Sequence, residues 1–197
     1  MLQQSPPSAL RESSPVVLET KRLVLRQPTL ADVKAIAAIV GDKRVADNLR
    51  RVPHPYTLDD AVSFVTTVAR TSDTVFLIER DRDAVGLVGI NWGNEAAPEL
   101  GYCLGIPHAG KGYATEAARA AIDYFFERFE GDHLFAGARV ANPASRNILE
   151  KCGFRWSGVE LHRFEALGCS TPVDSFRLSR SVWSSLKHWG SSVRRER

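Results

Sequence analysis

The sequence predicts a mixed α/β fold, in which helices flank one sheet that contains both antiparallel and parallel strands. Residues 74–92 hold two strand-like runs around the polar turn at 81–83, a pattern typical of an antiparallel hairpin. Residues 99–140 give a strand, a long amphipathic helix and another strand. A crossover of this length favours parallel pairing of the two strands that it connects.

Composition describes an ordinary globular protein. Of the 197 residues, 44% are hydrophobic and 25% are charged, which suits a single soluble domain. The chain has no apolar run near the roughly 18 residues that span a bilayer, and its start lacks the apolar centre of a secretory signal. We therefore expect a cytoplasmic protein that does not bind membranes.

The net charge and the cysteines argue against two further classes of protein. A net charge of +3 disfavours a dedicated nucleic-acid binder, which concentrates basic residues on one face. Cys103, Cys152 and Cys169 lie far apart, without the spacing of a metal site. We expect no metal and no nucleic-acid partner, and the odd cysteine count suits a reducing compartment.

The ends of the chain differ in composition from its middle. Residues 1–15 are rich in Ser, Pro and Gln and predict a disordered extension. Residues 16–189 form the single predicted domain, and residues 190–197 form a frayed basic tail. The alternating residues at the end of 16–26 predict the first strand.

Two helices are predicted before the main strands of the sheet. A capping pattern at Thr29 begins the first helix, and Gly41 ends it. Residues 42–51 are polar and are compatible with a short, irregular helix. The two prolines of 52–56 exclude regular helix there, and Thr57 begins the second helix.

The strand at 99–104 has two unlike faces. Leu100, Tyr102 and Leu104 point to one side, which suits a core packed against a helix. The other side carries Glu99 followed by two small residues, which leaves space beside a carboxylate. This face is a candidate site, although a glycine at its centre also suits a bulge.

A glycine-rich turn at 110–112 follows this strand and leads directly into the long helix. Backbone N–H groups and a helix N-terminus in that order are suited to bind phosphate. A Walker loop would need Ser or Thr where Gly112 stands, and a dinucleotide fingerprint would need glycine in place of Thr115. The spacing that fits is GxGxA, formed by Gly110, Gly112 and Ala114, with a plain glycine turn as the alternative.

The long helix, over about 112–129, has alanines along its first turns and aromatic residues at its far end, which anchor it to the sheet. The remaining predicted elements are a strand at 133–140, a helix from Pro143 to Gly153, strands at 154–164 and 173–180 around Gly168, and a helix at 182–189.

Two motifs together resemble one known family. GKGYATEA at 110–117 and NPASRNILEKCGF at 142–154 are similar to the RimJ/RimL-like branch of the GNAT N-acetyltransferases. TKRLVLR, ELGYCLG and VDSFRLSRSVW fit the same branch in order, so that the resemblance covers roughly residues 18–183. It implies a largely antiparallel sheet with two splayed parallel strands, and transfer of an acetyl group from acetyl-CoA to a primary amine.

The resemblance also implies where acetyl-CoA lies. The pantetheine arm would run between the splayed strands, beside the backbone of Leu104, Gly105 and Ile106. Asn142 would bond pantetheine or a bound water, and it is also suited to cap the helix that begins at Pro143. The backbone N–H groups that would surround the pyrophosphate are those of Gly110, Lys111, Gly112, Tyr113 and Ala114.

For the chemistry, Glu99 matches the family's carboxylate position and is the candidate base, with a solvated glutamate as the alternative. Many GNAT enzymes have a tyrosine as the acid seven residues after the matching asparagine, where this chain has Leu149. The nearby Ser145 is the substitute acid of the RimJ/RimL-like branch, and it equally suits helix capping or a contact with the coenzyme. Tyr102 and Tyr113 are further candidates.

The acceptor amine stays open. The branch favours a protein N-terminal α-amine, with small amines such as aminoglycosides or polyamines, or a non-catalytic acetyl-CoA sensor, as alternatives. The family's acceptor pocket makes His54, Tyr56 and His162 candidate acceptor-binding residues, in a monomer or a homodimer. The acidic residues expected near this pocket are too few to favour a polycation: Asp42, Asp47, Asp59 and Asp60.

Overall fold

The computed structural model describes residues 16–71, 74–92 and 97–187, so that the predicted extension and tail lie outside the described residues. The strands are β1 (Val17–Glu19), β2 (Val24–Arg26), β3 (Thr74–Arg80), β4 (Asp83–Asn91), β5 (Glu99–Leu104), β6 (His133–Arg139), β7 (Arg155–Phe164) and β8 (Cys169–Ser179). The helices are α1 (Val33–Val40), α2 (Lys43–Ala46), α3 (Leu58–Val68), α4 (Tyr113–Arg128), α5 (Pro143–Lys151) and α6 (Arg180–Lys187).

One sheet runs through the described ranges, with the strands in the order β1-β2-β3-β4-β5-β6-β8-β7. Its neighbouring strands are antiparallel except β5 and β6, which α4 connects in parallel. The predicted mixed α/β fold is therefore confirmed. The predicted hairpin is β3 and β4, and the predicted crossover is β5, α4 and β6.

The strand predicted at the end of 16–26 is β2, and it is preceded by a further short strand. Residues 16–26 hold β1 and β2, which pair antiparallel as a small hairpin. The turn between them is closed by Thr20, whose N–H donates to the Leu23 carbonyl at 2.9 Å and whose Oγ1 accepts from the Leu23 N–H at 3.0 Å. Local side-chain bonds of this kind favour a turn over continued strand.

The predicted starts of the first two helices are confirmed. The N–H and hydroxyl of Thr29 both donate to Asp32, at 2.7 and 2.9 Å, in a short turn that leads into α1. Thr57 makes the same two bonds to Asp60 at the start of α3. Side chains that satisfy the free ends of the backbone in this way define where a helix begins.

The two faces of the sheet pack against different helices. On the face that we call the front, α1 and α3 lie over β3 and β4, and the buried residues there are Val33, Ile36, Ile39, Val40, Ala61, Val65, Val75, Leu77 and Leu87. On the back, α4 lies over a larger core that spans β2 to β8. Strand β5 contributes to both, with Leu100 buried at the back and Cys103 packed at the front.

Helix α4 is anchored at its C-terminal end, as predicted. Ala117, Ala118 and Ala121 are fully buried, so the helix axis lies close to the sheet. The rings of Phe125 and Phe129 pack against Trp92, with centroid distances of 5.9 and 5.2 Å. Because this end is fixed, the N-terminus of α4 is held at the end of β5.

Candidate functional site

A cleft opens in the sheet between β5 and β6. The two strands are in register only where Glu99 faces Phe135 and Leu100 faces Ala136, and beyond these pairs they diverge. Strand β5 stays paired with β4 along its whole length. The remaining four residues of β5 therefore form one wall of a cleft that widens toward the glycine-rich turn.

The backbone of β5 presents free hydrogen-bonding groups to this cleft. The Gly105 N–H donates to Val85 on the β4 side, whereas the Pro98 carbonyl accepts from Phe135 on the β6 side, both at 2.9 Å. Backbone groups alternate in direction along a strand, so those of Tyr102 and Leu104 point into the cleft. Polar backbone groups without a partner strand favour a ligand that carries amides.

The glycine-rich turn closes the wide end of the cleft. Gly110 and Gly112 have φ values of 75° and 79°, a left-handed conformation that favours glycine. A Cβ atom added at Gly110 would meet no atom within 4 Å, so the space beside this residue is open. Helix α4 begins directly after Gly112, which directs its N-terminal amides into the same space.

Arg22, in the β1–β2 turn, supports the glycine-rich turn from outside. Its Nη1 donates to the Lys111 carbonyl at 3.0 Å, and its Nε donates to Glu116 in the first turn of α4 at 2.7 Å. Burial alone would raise the pKa of Glu116, but hydrogen bonds from Thr20 and Arg22 outweigh it and hold that pKa below its ordinary value. The Glu116 carboxylate thus stays ionised and fixes Arg22 against the turn.

The Tyr113 side chain points away from the cleft, between two arginines. Arg22 and Arg80 stack on its ring at 4.7 and 5.1 Å from the centroid, and Arg80 donates a hydrogen bond to its hydroxyl. Only the backbone of Tyr113 is directed toward the cleft, and its phenol is engaged elsewhere.

The other wall of the cleft is formed by β6 and the start of α5. The Asn142 side chain caps this helix, since its Oδ1 accepts from the Ser145 N–H at 3.1 Å. Across the cleft, the Tyr102 hydroxyl lies 2.9 Å from Ser145 Oγ and donates to the Ser145 carbonyl at 3.1 Å. Burial raises the pKa of Tyr102, so its phenol keeps its proton. Leu149 is buried in the core of the back face.

Glu99 lies at the narrow end of the cleft, on the front face. A Cβ atom added at Gly137 of β6 would be 3.6 Å from Glu99 Oε1, so the carboxylate leans across the divide between the strands. Arg50 donates to Glu99 Oε2, and its Nη1 lies 3.3 Å from His162 Nδ1 on β7. The Glu99 and Arg50 side chains are 30% and 31% exposed, which leaves the pair open to solvent.

Arg50 belongs to a short segment, residues 47–51, which we call the strap. Arg139 at the end of β6 donates to the Asp47 carbonyl at 2.9 Å. The Glu165 N–H, after β7, donates to the Arg50 carbonyl at 3.1 Å. The strap is therefore fastened by its backbone carbonyls to the end of β6 and to the residue that follows β7, both on the β6 side of the cleft.

The three predicted acceptor-binding residues have different surroundings, and their role stays a prediction. His162 contacts Arg50 and so belongs to the surroundings of Glu99. Tyr56 packs into the front core, where burial raises its pKa to about 12, and nearby Asp60 and Cys103 add to this shift. His54 is exposed and lies near Asp42, whose pKa it helps to lower.

The predicted coenzyme contacts do lie together, along the cleft and the glycine-rich turn. The Gly105 N–H and carbonyl are both engaged within the protein, with Val85 and His108, so its contribution would be the space left by the absence of a side chain. Arg22, Arg50 and the Tyr102–Ser145 contact were not predicted. Their partners are distant in sequence, 89 residues in the case of Arg22 and Lys111, and no local pattern connects them.

The described ranges hold no group of three or more His, Cys, Asp or Glu side chains that is arranged for a metal ion. Among the helices of these same ranges, none combines the length and the apolar character that crossing a membrane requires.

Comparison with known proteins places the chain among acetyltransferases. Residues 22–155 match the family described as acetyltransferase (GNAT) domain. An uncharacterized N-acetyltransferase of Bacillus subtilis, YnaD, is 28% identical over 145 residues, which cover 72% of this chain and 84% of that protein.

Solved structures share the fold at low sequence identity. RimL, a ribosomal L7/L12 α-N-protein acetyltransferase in complex with coenzyme A, has a TM-score of 0.72 and 18% identity, covering 83% of this chain and 98% of its own. A spermidine N-acetyltransferase of Vibrio cholerae, in complex with coenzyme A and spermine, has a TM-score of 0.71 and 21% identity, covering 84% and 99%. Proteins of the same fold thus differ in their acceptor.

Proposed function

This chain belongs to the GNAT acetyltransferase family and is an acetyl-CoA-dependent N-acetyltransferase, and we propose that its acceptor is the α-amine of a protein N-terminus. The observation that carries this proposal is the cleft between β5 and β6. It combines free backbone amides, a glycine-rich turn at its wide end and a carboxylate at its narrow end.

In the proposed arrangement, the coenzyme lies along the β5 wall. From Gly101 to Leu104 this wall is about 10 Å long, at roughly 3.3 Å per residue, and its unpaired backbone suits an extended arm that contains amides. The backbone of Tyr102 and Leu104 would bond the arm, and the N–H groups from Gly110 to Ala114 would bond the pyrophosphate. Arg22 and Lys111 add positive charge beside that site.

The reaction is direct attack of the amine on the thioester. The amine nitrogen forms a bond to the acetyl carbon, the bond from carbon to sulfur breaks, and the sulfur leaves as a thiolate. Glu99 would take the proton from the amine through water. Ser145, hydrogen-bonded to the protonated phenol of Tyr102, would relay a proton from solvent to the thiolate, which gives the thiol of coenzyme A and leaves the Ser145 hydroxyl intact.

The charges on the front face favour an N-terminal amine over a polyamine. A polycation needs several carboxylates, but Glu99 is paired with Arg50. Asp42 caps α2 and pairs with Arg44, and Asp47 pairs with Lys43. An α-amine has a pKa of roughly 7.7–8.0, against about 10.4 for lysine, so one weak base is sufficient to deprotonate it.

The test measures release of coenzyme A from acetyl-CoA with three acceptors: a peptide with a free N-terminus, the same peptide blocked at its N-terminus but containing lysine, and spermidine. We expect turnover of the first alone, with the acetyl group located on the α-amine by mass spectrometry. Faster turnover of the blocked peptide or of spermidine would contradict the proposed acceptor. Coenzyme binding without turnover of any amine would instead favour a sensor.

Glu99→Gln tests the role of the carboxylate. We expect a rate loss of tenfold or more near pH ~6.5, where the α-amine is protonated, and a smaller loss near pH ~9, where it is already free. Glu127→Gln makes the same chemical change at the far end of α4 and should leave the profile unchanged. An equal loss at every pH for Glu99→Gln would remove Glu99 from the role of base.

A further inference from the structure

We propose that Arg50 makes this enzyme selective for acceptors that carry a carboxylate next to the reacting amine. The inference rests on the proposed function, because it takes Glu99 as the group that receives the amine. Arg50 is then a specificity-determining residue, which binds the acceptor beside the reacting atoms.

The backbone of the strap fixes the position of Arg50. Its carbonyl is bonded by Glu165, and the carbonyl three residues earlier is bonded by Arg139. These two bonds join the strap to the side of the cleft that holds β6, β8 and β7, and the Arg50 side chain extends from there to Glu99 of β5. Because the backbone of the strap is fixed, the Arg50 side chain contacts Glu99 in the folded protein without a bound acceptor.

The guanidinium of Arg50 lies between a carboxylate and an imidazole ring. Its Nη2 donates to Glu99. Its Nη1 lies 3.3 Å from His162 Nδ1. The Nε2 atom of the same ring faces Glu160 at 3.3 Å. The charge of Arg50 is therefore balanced mainly by Glu99.

The pair of Arg50 and Glu99 is built to exchange partners. Both side chains are about one-third exposed, and ion pairs with this exposure contribute little to stability, so an incoming group separates them at small cost. An ammonium alone would take Glu99 and leave Arg50 without its carboxylate, beside a second positive charge. An acceptor with its own carboxylate gives Arg50 a new charge-assisted bond.

This exchange defines a class of substrate. The carboxylate must lie within a few bonds of the amine, because Arg50 and Glu99 are in direct contact. An acidic first or second residue of a protein N-terminus has this geometry, whereas a polyamine offers only further positive charge. From the strength of hydrogen bonds to charged groups, reduced for exposure, we expect a preference of about tenfold.

The experiment compares acceptors that differ only between carboxylate and amide. The kcat/KM values are measured for peptides that begin with Asp or Asn. They are also measured for the α-amides of the same two amino acids, which replace the peptides as acceptors if the enzyme acetylates only small amines. A third peptide carries Asp at its fifth position, to measure general attraction to a protein of net charge +3. Each ratio is taken within one variant, so a change in stability cancels.

We expect the wild-type enzyme to prefer the N-terminal Asp peptide about tenfold over Asn, and to show no such preference for the distal Asp. Arg50→Gln should reduce the ratio to near one, and Arg50→Lys should keep part of it. Arg44→Gln removes an exposed arginine of α2 that pairs with Asp42 and should keep the full ratio.

Equal kcat/KM values for Asp and Asn in the wild type, or a preference that survives Arg50→Gln, would overturn the role of Arg50 while leaving N-terminal acetylation intact. Turnover of the amino-acid amides alone would overturn the proposed N-terminal acceptor, and the ratio measured on those amides would still decide the role of Arg50. An enzyme that acetylates none of these amines overturns both proposals.

Discussion

At the scale of single residues, the site depends on side chains that hold backbone groups in place. Arg22 does not point into the cleft, yet it bonds the Lys111 carbonyl and the Glu116 carboxylate at once. A carbonyl held on the outer side of the turn leaves the neighbouring N–H groups free on the inner side. We therefore propose that Arg22 is a positioning residue for the glycine-rich turn and its proposed pyrophosphate site.

Removing Arg22 should weaken binding of the coenzyme and little else. For Arg22→Ala we expect KM for acetyl-CoA to rise about tenfold, the effect of losing one hydrogen bond to a charged group, with kcat nearly unchanged. With acetyl-pantetheine, which lacks the pyrophosphate, the variant and the wild type should react equally well. The measurement is steady-state kinetics with the two donors.

Lys21→Ala is the matched control for Arg22→Ala, because Lys21 is exposed, carries the same charge and is the neighbouring residue. It should leave KM unchanged. If Arg22→Ala lowers the rates with acetyl-CoA and with acetyl-pantetheine by the same factor, Arg22 acts through the fold as a whole and not through the glycine-rich turn.

At the scale of elements, the predictions that succeeded rest on local patterns. Strand β3 and strand β5 have the predicted bounds, since β-branched and alternating residues mark them. Helix α4 follows the predicted period of its alanines. The glycine-rich turn could be predicted because glycine adopts the left-handed backbone conformation readily, so Gly110 and Gly112 indicate a turn without any knowledge of distant contacts.

The site is harder to predict than its elements, because its contacts join distant parts of the chain. Glu99 was a candidate from its strand face alone, but its partner Arg50 lies 49 residues away in a segment with no regular pattern. Tyr56 and His54 were placed in the acceptor pocket by resemblance, and their role stays a prediction: Tyr56 packs against the front core, and His54 is exposed. The course of the strap decides which of these side chains reaches the cleft.

The glycine-rich turn supplies a prediction at this scale, from a comparison of two glycines. Gly110 and Gly168 have φ values of 75° and 65°, and a Cβ atom at either would meet nothing within 4 Å. Replacement by alanine should lower the free energy of unfolding by about 1 kcal/mol in both cases, from left-handed strain alone. Only Gly110→Ala places a methyl group in the proposed pyrophosphate site.

We therefore expect Gly110→Ala to bind acetyl-CoA at least tenfold more weakly, measured by calorimetry, while Gly168→Ala binds it like the wild type. Urea denaturation of the two variants checks that their losses of stability match. Equal coenzyme affinity in both variants would mean that the open side of the turn does not receive the pyrophosphate.

At the scale of the whole molecule, the cleft is maintained by the two cores. Leu100 and Tyr102 tie β5 to the back core, and Cys103 ties it to the front core, where burial raises the Cys103 pKa to about 12. Strand β6 is instead held by β8 along its full length. Each strand is fixed to its own neighbours, so the sheet keeps an opening that pairing between β5 and β6 would otherwise close.

An opening with free backbone groups links coenzyme binding to stability. Acetyl-CoA at about 100 times its Kd should stabilise the protein by about 2.7 kcal/mol, because it binds only the folded state. For a domain of this size, that corresponds to a rise in Tm of roughly 5–10 °C.

The same ligand should slow hydrogen exchange at the amides of Tyr102 and Leu104, which face the cleft, measured residue by residue by NMR. The amide of Cys103, which is in register with Leu87 of β4, should not change. The adenosine bisphosphate portion of coenzyme A alone should protect Gly110 and Gly112 but not β5, because it lacks the arm. Protection of Tyr102 and Leu104 by that fragment, or none by acetyl-CoA, would show that the cleft between β5 and β6 does not hold the pantetheine.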